Sequence, residues 1–246
     1  MTLKHLIAAA IIPFACNAFA SGDAPHWEYE GKTGPKAWGD LDHGFAECKL
    51  GKEQSPIDIR SAKKAGLAPL SLTYKASGAE VVNNGHTIQV NLADAGDLTL
   101  DGSPYKLVQF HFHTPSEERI GGKAFPLVAH LVHKNAEGKL AVVGVMIKQG
   151  KANAALNGVF GHLPAHAGEK QALDAGFNVA DMLPVDKGYY KYMGSLTTPP
   201  CSEGVRWQVL KTPIEASKAQ IEAFQKLYKM NARPLQPLNG RALEQS

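Results

Sequence analysis

Regularly spaced histidines are the residues of this sequence best placed to do chemistry. His111 and His113 are two positions apart in a strand-like run, so a β-strand would put both rings on one face, with Cα atoms roughly 6.5 to 7 Å apart. Gly121-Gly122 is typical of a two-residue hairpin turn. A ladder continued from that turn places His130 directly opposite His113 and diagonal to His111. The spacing therefore predicts three imidazoles on one face of a sheet.

The same register separates His133 from this group. It places His133 opposite Phe110, on the other face of the sheet, which excludes it as the third ligand. Pro115 is the weak point, because proline cannot donate to a ladder and a bulge there would shift the register. His162 and His166 lie in a segment with glycine and proline and without an adjacent carboxylate base, so we interpret them as surface residues.

Three imidazoles held together favour zinc chemistry. Neutral histidine nitrogen is a preferred zinc ligand, and three protein ligands leave one coordination position for water. An open position is typical of a catalytic metal site rather than a structural one. The alternative is that each histidine is an ordinary hydrogen-bonded residue, which is the more frequent situation for any one of them alone.

The elements that would position these histidines are mostly strands. Short β-branched and apolar runs recur between turn signals, without a repeat or a linker, and predict one mainly β domain. An amphipathic helix is predicted to begin at about Ser217, its N-cap. A short helix over 152–156 and an extended segment over 234–238 are also predicted. The predicted strands are 79–82, 87–92, 98–100, 107–113, 124–133, 140–148 and 205–210.

Composition allows a large core and excludes several classes of protein. The 246 residues are 44% hydrophobic and 20% charged, which suits a folded core and argues against a disordered chain. The 24 glycines and 15 prolines have no period, so the sequence is not collagen-like. The formal net charge is only +3 and no basic cluster recurs, so no nucleic-acid surface is predicted. The expected partner is a small molecule.

The first twenty residues are typical of a secretory signal peptide. A basic start at Lys4 precedes an apolar run over 6–15, and Ala18-Phe19-Ala20 has the pattern of a cleavage site. The apolar run is too short to span a bilayer, and no membrane span is predicted elsewhere. Cys16 as a lipid-attachment site is the alternative, although Pro13 stands where such signals have a branched aliphatic residue. We expect a signal peptide over 1–20 and one domain over 21–246.

Two cysteines, Cys48 and Cys201, remain after that cleavage. An even count in an oxidising compartment predicts a disulfide between them. Closing so long a loop would stabilise the fold by at most about 5 kcal/mol in the loop-entropy model. Two free buried thiols are the alternative.

Seven motifs spread over nearly the whole mature chain resemble those of one family. They are QFHFH (109–113), AHLVH (129–133), GSLTTPP (194–200), WEYEGKTGPKAW (27–38), QSPIDI (54–59), NNGH (83–86) and RPLQPLN (233–239). In type and order they closely resemble the α-class carbonic anhydrases. The resemblance implies a large twisted, mostly antiparallel sheet with a few short peripheral helices. It also implies reversible hydration of carbon dioxide to bicarbonate and a proton. Exported bacterial members carry a similar cysteine pair. The signal peptide and the likeness to bacterial members predict a periplasmic location, with surface attachment or secretion as alternatives.

The resemblance assigns catalytic roles to individual residues. It implies that His111, His113 and His130 bind Zn²⁺, in agreement with the strand register. A zinc-bound water has a pKa of about 7, so hydroxide is available as a nucleophile at neutral pH. Thr197 resembles the threonine that accepts a hydrogen bond from this hydroxide and donates its own proton to a glutamate, here Glu117.

Further roles follow from the same resemblance. Thr198 is expected to contact bicarbonate. His86 matches the family's proton shuttle, and an imidazole with a pKa near 6.5 suits that task at neutral pH. Gln109 shares the strand parity of His111 and resembles the residue that accepts a hydrogen bond from its free nitrogen. Without the resemblance, Thr197 and His86 would be interpreted as ordinary turn residues.

An apolar wall beside the metal would hold carbon dioxide, which is small, uncharged and weakly hydrogen-bonding. The predicted wall consists of Val132, Val142, Leu196, Val205 and Trp207. As apolar residues of strands, they would equally suit an ordinary sheet core.

Two positions depart from the family's pattern. Val128 stands where the family often has a glutamate bonded to the third zinc ligand, and Glu118 stands where a histidine usually follows Glu117. Losing a partner of a metal ligand typically costs roughly 10- to 100-fold in metal affinity or activity. We therefore expect a working enzyme that binds zinc less tightly.

A different class of function is a periplasmic zinc- or ligand-binding module that keeps the fold without turnover. The presence of Thr197, Glu117 and His86 favours the enzyme. Ester hydrolysis is expected only as a side activity of the same nucleophile, because the sequence has no GxSxG elbow.

Overall fold

The computed structural model describes residues 25–174 and 176–246. The predicted signal peptide over 1–20, including Cys16, lies outside these described residues. The strands are β1 (Asp58–Ile59), β2 (Lys63–Lys64), β3 (Ser71–Leu72), β4 (Ala79–Asn83), β5 (Ile88–Leu92), β6 (Asp97–Leu100), β7 (Ser103–His113), β8 (Arg119–Ile120), β9 (Leu127–Lys134), β10 (Leu140–Gln149), β11 (Lys170–Ala172), β12 (Tyr189–Ser195), β13 (Glu203–Leu210), β14 (Ile214–Ala216) and β15 (Glu244–Gln245). The α-helices are α1 (Trp38–Leu41), α2 (Glu47–Leu50), α3 (Ala154–Phe160) and α4 (Lys218–Leu227), with 3₁₀ turns at Gly31–Thr33, His43–Phe45 and Val179–Met182.

One large sheet dominates the described part of the chain. Thirteen of the strands described there join it, and its centre runs in the order β4-β5-β7-β9-β10-β13-β12. Most neighbours are antiparallel, while β10 pairs in parallel with β13 and β14, and β15 pairs in parallel with β2. The prediction of a mainly β fold with a few short helices is confirmed.

The two central strands are buried on both faces. In β9 the seven residues from Leu127 to His133 are all buried, and β10 is buried from Ala141 to Ile147. Covering both faces explains the nearly continuous apolar runs of these strands, which lack the alternation of a strand with one wet face. A polar side chain placed in β9 is therefore enclosed by protein on either side of the sheet.

The register between β7 and β9 differs by two residues from the predicted one. His111, not His113, lies opposite His130, and His113 lies opposite Val128. An even shift returns each side chain to its expected face, so the three histidines still share one face.

The shift arises because the segment between these strands is not one continuous hairpin. Ile120 and Lys123 pair across the Gly121-Gly122 turn, but only as an isolated bridge. Just before the turn, β8 pairs in parallel with β1 rather than with β9. Pro115 cannot donate a ladder hydrogen bond, and β7 ends at His113.

A bulge further along the ladder moves His133. The register shifts between Leu107 and Gln109, which puts His133 opposite Leu107. Before the bulge, the two-residue difference puts Phe110 opposite Leu131. The predicted pairing of His133 with Phe110 is therefore wrong. His133 still lies on the opposite face from His130, because the two are an odd number of residues apart in one strand.

Two apolar clusters cover the two faces of the sheet. The cluster on one face, here the helix-side cluster, includes residues of α3 and α4 such as Phe160 and Phe224. The cluster on the other face, here the site-side cluster, includes Val128, Val132 and Trp207. The candidate site lies on the face of the site-side cluster.

The predicted helices are present with shifted bounds. Ser217 caps α4 in a capping box with Gln220, as its sequence indicated. The short helix predicted over 152–156 begins at Ala154, after Asn153 as its N-cap, and continues to Phe160. Among residues 25–174 and 176–246, each helix is too short or too polar to cross a bilayer.

Candidate active site

Three histidine rings converge on the site side of the sheet. His111 and His113 come from β7 and His130 from β9, and one nitrogen of each lies within 4.8 Å of the others. The ring centroids are 5.0 Å apart for His111 and His113, and 4.7 Å apart for His113 and His130. Alternation along β7 and the pairing of His111 with His130 account for this convergence.

The two rings of β7 are each fixed through Nδ1. His111 Nδ1 donates to Gln109 Oε1 at 2.8 Å, and His113 Nδ1 donates to the backbone oxygen of Asn231 at 2.7 Å. Because a carbonyl oxygen can only accept, Nδ1 carries the proton in both rings. Each Nε2 therefore keeps a free lone pair.

The third ring has a carboxylate partner that the sequence did not predict. His130 Nε2 lies 3.0 Å from Oε2 of Glu118, and both side chains are buried. With Nε2 as the donor, His130 keeps its lone pair on Nδ1. The expectation that Val128 leaves the third ligand without a carboxylate is therefore wrong.

Burial and nearby carboxylates shift the pKa values of these rings in opposite directions. Burial, with a smaller effect of neighbouring His130, lowers the pKa of His111 to about 3. Burial also lowers the pKa of His113 well below its usual value. Burial lowers the pKa of His130 as well, but Glu118 and Glu117 outweigh it, so the net shift is upward. His111 and His113 are neutral at pH 7, as metal ligands must be.

The donor set fits a zinc ion. His113 Nε2 is buried and finds no hydrogen-bond partner within the described part of the chain. A buried nitrogen with a free lone pair is costly unless it is bound, and a metal would satisfy it. Three imidazoles in this arrangement are a typical set for catalytic zinc. Each ring also has one oxygen as a hydrogen-bond partner, which is what such ligands require.

Glu117 is a second buried carboxylate beside the histidines. Its Oε2 lies 3.5 Å from His113 Nε2, and its Oε1 accepts the backbone amide of Arg233 at 2.8 Å. Burial raises the pKa of Glu117 to about 7, against the opposing effects of His130, the Thr197 hydroxyl and the Arg233 amide. Glu117 Oε2 is buried and has no hydrogen-bond partner among the described residues, so its partnership with Thr197 stays a prediction.

The loop that carries Thr197 is tied to the N-terminal part of the chain. A disulfide joins Cys48 and Cys201, as predicted. The backbone oxygen of Cys201 accepts a hydrogen bond from Gln54 Nε2 at 2.9 Å, and its amide donates to the oxygen of Thr198 at 2.8 Å. These contacts fix the turn immediately after Thr197 and Thr198.

A cavity of about 170 Å³ opens above the three histidines. Thr197 and Thr198 line it, and so do four of the five residues of the predicted apolar wall, Val132, Val142, Leu196 and Trp207. Val205, the fifth, is buried in the site-side cluster and does not line the cavity, so this part of the prediction is corrected. A larger cavity of about 740 Å³ beside α3 is lined by other residues and holds none of the described site histidines.

His86 lies at the wall of the cavity, away from the three rings. Its ring stacks on Trp27, with centroids 3.7 Å apart and planes 6° apart. Asn84 Oδ1 accepts the backbone amide of His86 at 2.9 Å and so shapes the turn. Burial lowers the pKa of His86, helped by the charge of His26 and opposed by Glu28.

Several residues of the cavity were missed from the sequence. Trp27, Tyr29, Asn84, Thr87 and Gln89 also line it. Gln89 lies opposite His111 in the register of β5 and β7, so strand pairing on the other side of β7 was the signal that could have found it. Trp27 and Tyr29 precede the sheet in the chain, and no spacing rule places them at the cavity.

Comparison with known proteins decides the family. Residues 33–246 match the model of the eukaryotic-type carbonic anhydrases. The chain belongs to this family. It is 43% identical over 242 residues to a carbonic anhydrase of Pectobacterium atrosepticum, a match that covers 98% of this chain and 99% of that protein.

Solved structures of the carbonic anhydrase family share the fold. The α-carbonic anhydrase of Thermovibrio ammonificans, solved with the inhibitor sulfanilamide, has a TM-score of 0.88 and 48% identity, covering 90% of this chain and 99% of that one. Dioscorin complexed with ascorbate has a TM-score of 0.81 and 31% identity, covering 89% and 97%. The carbonic anhydrase fold therefore occurs both in named carbonic anhydrases and in a protein crystallised with a different ligand.

Proposed function

We propose that this member of the carbonic anhydrase family catalyses the zinc-dependent, reversible hydration of carbon dioxide to bicarbonate and a proton. The observation that carries the proposal is the convergence of His111, His113 and His130 at the base of a cavity, each with one nitrogen left free. Bound zinc would supply a water of lowered pKa as the nucleophile. The remaining steps are assigned to the chain's own side chains.

Outer hydrogen bonds hold the three ligands in their binding tautomers. Gln109 and the backbone oxygen of Asn231 accept hydrogen bonds from Nδ1 of the two β7 histidines. Fixing both the tautomer and the ring orientation of a ligand raises its basicity and metal affinity. Gln109 accordingly acts on the metal only through His111.

Thr197 and Glu117 orient the nucleophile. Glu117 is an acceptor when ionised, so the Thr197 hydroxyl donates to it and has only lone pairs left to offer toward the cavity. A nucleophile supplied there would donate a hydrogen bond to the Thr197 oxygen and would keep a lone pair for the substrate. The Arg233 amide favours the ionised form of Glu117 that this arrangement needs.

Apolar side chains provide a place for carbon dioxide. Val132, Val142, Leu196 and Trp207 form the apolar part of the cavity wall. A substrate without charge or strong hydrogen bonding gains little from polar contacts, whereas displacing water from an apolar wall is favourable. Thr198, on the same wall, offers a hydrogen bond to bicarbonate once it forms.

His86 carries the released proton to solvent. It is half-buried at the cavity wall, where it contacts both the interior and the outside. Its lowered pKa keeps it neutral at pH 7, so it can accept a proton and pass it to buffer.

The experiment measures zinc content and carbon dioxide hydration in the same preparation. We expect one zinc per chain and hydration that stops on chelation and returns when zinc is added. His86→Ala should bind zinc normally, lose turnover at low buffer concentration and recover it with imidazole in the buffer. His43→Ala, which removes an exposed histidine, is the matched control.

The second candidate is a binding module without turnover. The observation that favours it is that dioscorin, which shares the fold, was solved in complex with ascorbate. One zinc per chain without chelator-sensitive hydration would favour this candidate. Hydration that needs no zinc would refute both candidates.

We also propose that the chain is exported to the periplasm, with cleavage after Ala20 leaving a domain over 21–246. Support comes from the N-terminal pattern and from the disulfide between Cys48 and Cys201, which suits an oxidising compartment. Intact mass of the protein from a periplasmic fraction should match a chain that begins at Ser21. Retention of residues 1–20 would contradict the proposal.

A further inference from the structure

Position 128 is one of the two nearest same-face neighbours of His130 in β9. Val128, His130 and Val132 alternate along β9 and share one face. Val128 is fully buried in the site-side cluster, opposite His113. The Val128 side chain therefore offers His130 no hydrogen-bonding group.

The carboxylate that His130 does contact comes from outside the strand. Glu118 lies in the connection between β7 and β9, and its Oε2 is 3.0 Å from His130 Nε2. Both side chains are almost completely enclosed, with exposures of 2% for His130 and 0% for Glu118. In such an enclosed place a charged hydrogen bond is strong and an unpaired carboxylate is costly.

The backbone around Glu118 is held from several sides. Ser116 Oγ donates to the oxygen of Glu118 at 2.8 Å and accepts the amide of Phe125 at 2.9 Å. The next residue, Arg119, donates its amide to the oxygen of Ile57 at 3.2 Å. Glu118 therefore projects from an anchored segment, which is what precise positioning of a partner requires.

We propose that Glu118 is the positioning residue of the third zinc ligand, and that a small apolar residue at position 128 is the condition for this role. A glutamate at 128 would start about 6.5 to 7 Å from His130 along the strand, within reach of the same Nε2. His130 has only one proton to donate through that nitrogen, so the two positions are alternative sources of one carboxylate. The inference rests on the proposed zinc site.

The cost of burying charge explains why Glu118 and a glutamate at position 128 should not both be present. Glu117, directly before Glu118, already places a second buried carboxylate at the site: its Oε1 accepts the Arg233 amide, and its Oε2 has no hydrogen-bond partner among the described residues. A third carboxylate at 128 would find no donor left among these groups. It would destabilise the protein in the way that any buried, unpaired charge does.

The test measures zinc affinity by competition with a chelator, first in the wild-type protein and then in variants. Glu118→Ala should weaken zinc binding by roughly 10- to 100-fold. Glu118→Ala/Val128→Glu should recover most of that loss, because the carboxylate returns from the strand. Glu137→Ala, the same change at an exposed carboxylate, should leave zinc binding unchanged.

A second readout is thermal stability of the metal-free protein. Val128→Glu alone should melt at a lower temperature than the wild type, and adding Glu118→Ala should reverse part of that decrease. A purely structural role for Glu118 predicts no such reversal, since two buried substitutions would then add their costs.

Each outcome is decisive. A wild type that binds no zinc overturns the proposed function together with this inference. A wild type that binds zinc, with Glu118→Ala binding it equally well or with no recovery in the double variant, overturns the inference alone. If Glu118→Ala does not fold, the nearly isosteric Glu118→Gln takes its place, and unchanged zinc affinity in that variant overturns the inference.

Discussion

Strand β9 carries two buried histidines on opposite faces of the sheet, and their hydrogen-bond partners differ. On the helix side, His133 Nε2 accepts from the Tyr74 hydroxyl at 2.6 Å, and its Nδ1 donates to the oxygen of Ala141 at 3.3 Å. On the site side, His130 donates from Nε2 to Glu118 and keeps Nδ1 free. One ring is saturated by protein partners, and the other is left with a nitrogen to offer.

Burial alone does not separate the two rings, because both are enclosed. Burial lowers the pKa of His133 to about 4, against weak support from the backbone of Ala141 and Leu131. For His130 the carboxylates of Glu118 and Glu117 reverse the effect of burial. The comparison teaches that the partners of a buried histidine, rather than its depth, distinguish a structural ring from a metal ligand.

The largest expected effect comes from removing each ring in turn. His130→Ala should lose zinc and reduce hydration by more than the roughly 10- to 100-fold that loss of an outer partner costs. His133→Ala should keep its zinc and lose stability instead, by about 1 to 3 kcal/mol for each polar partner left unpaired. Zinc analysis and urea unfolding of both variants check this, and zinc loss in His133→Ala would break the comparison.

Removing a group that acts on the nucleophile should have the next largest effect. Thr197→Val keeps the shape of the side chain but removes the hydroxyl between Glu117 and the cavity. Loss of one preoriented hydrogen-bonding group typically costs about 100-fold or more in turnover. Zinc content should stay at one per chain, and Thr73→Val at an exposed threonine is the control. Equal turnover in the two variants would show that Thr197 has no such role.

The sequence predicted which face of the sheet carries the site histidines, because side chains alternate along a strand, but it did not predict the strand register. The alternation of β7 and β9 put three histidines on one face even though the predicted register was two residues off, since parity survives an even shift. The register itself depended on long-range pairing, because β8 joins β1 instead of extending the hairpin. A local pattern contains no information about a partner strand some sixty residues away.

Contacts between distant segments explain the other failures. The sequence showed Glu118 only as a departure from the family's pattern, because its contact with His130 on β9 depends on the fold. The contact of the Asn231 backbone with His113 also could not be predicted, because Asn231 follows α4. Strand β12 was not predicted, since its YYKYMGS sequence mixes aromatic, charged and small residues without a clean alternation. By contrast, α4 was predicted well because an N-cap serine and an apolar face are local features.

A smaller effect should appear in the pH dependence of stability. The pKa of His133 is about 4 in the folded protein and near 6.5 in an unfolded chain, so the unfolded state binds the extra proton between these values. Stability that His133 provides above pH 6.5 is therefore lost as the pH falls toward 4, by at most about 3 kcal/mol. His133→Gln lacks this loss, so its deficit relative to the wild type should shrink on acidification.

Urea unfolding between pH 7 and pH 4 measures that difference. The control is His43→Gln, an exposed histidine whose curve should run parallel to the wild type. If the difference in free energy of unfolding between His133→Gln and the wild type stays constant over this range, His133 takes up a proton as readily in the folded as in the unfolded state. That result would contradict the comparison between His133 and His130.

The smallest expected effect concerns His86, which has neither the two hydrogen-bond partners of His133 nor the proposed ligand role of His130. Burial is the main cause of its lowered pKa, with His26 lowering it further and Glu28 raising it. His26→Ala should therefore raise the pKa of His86 and Glu28→Gln should lower it, and both shifts should be small because both neighbours are exposed to solvent. The pH profile of buffer-limited turnover and an NMR titration of the His86 ring would report these shifts. The decisive result is a shift of the His86 pKa in opposite directions in the two variants. A general loosening of the N-terminal segment would shift this pKa in the same direction in both, and burial would then be its only cause.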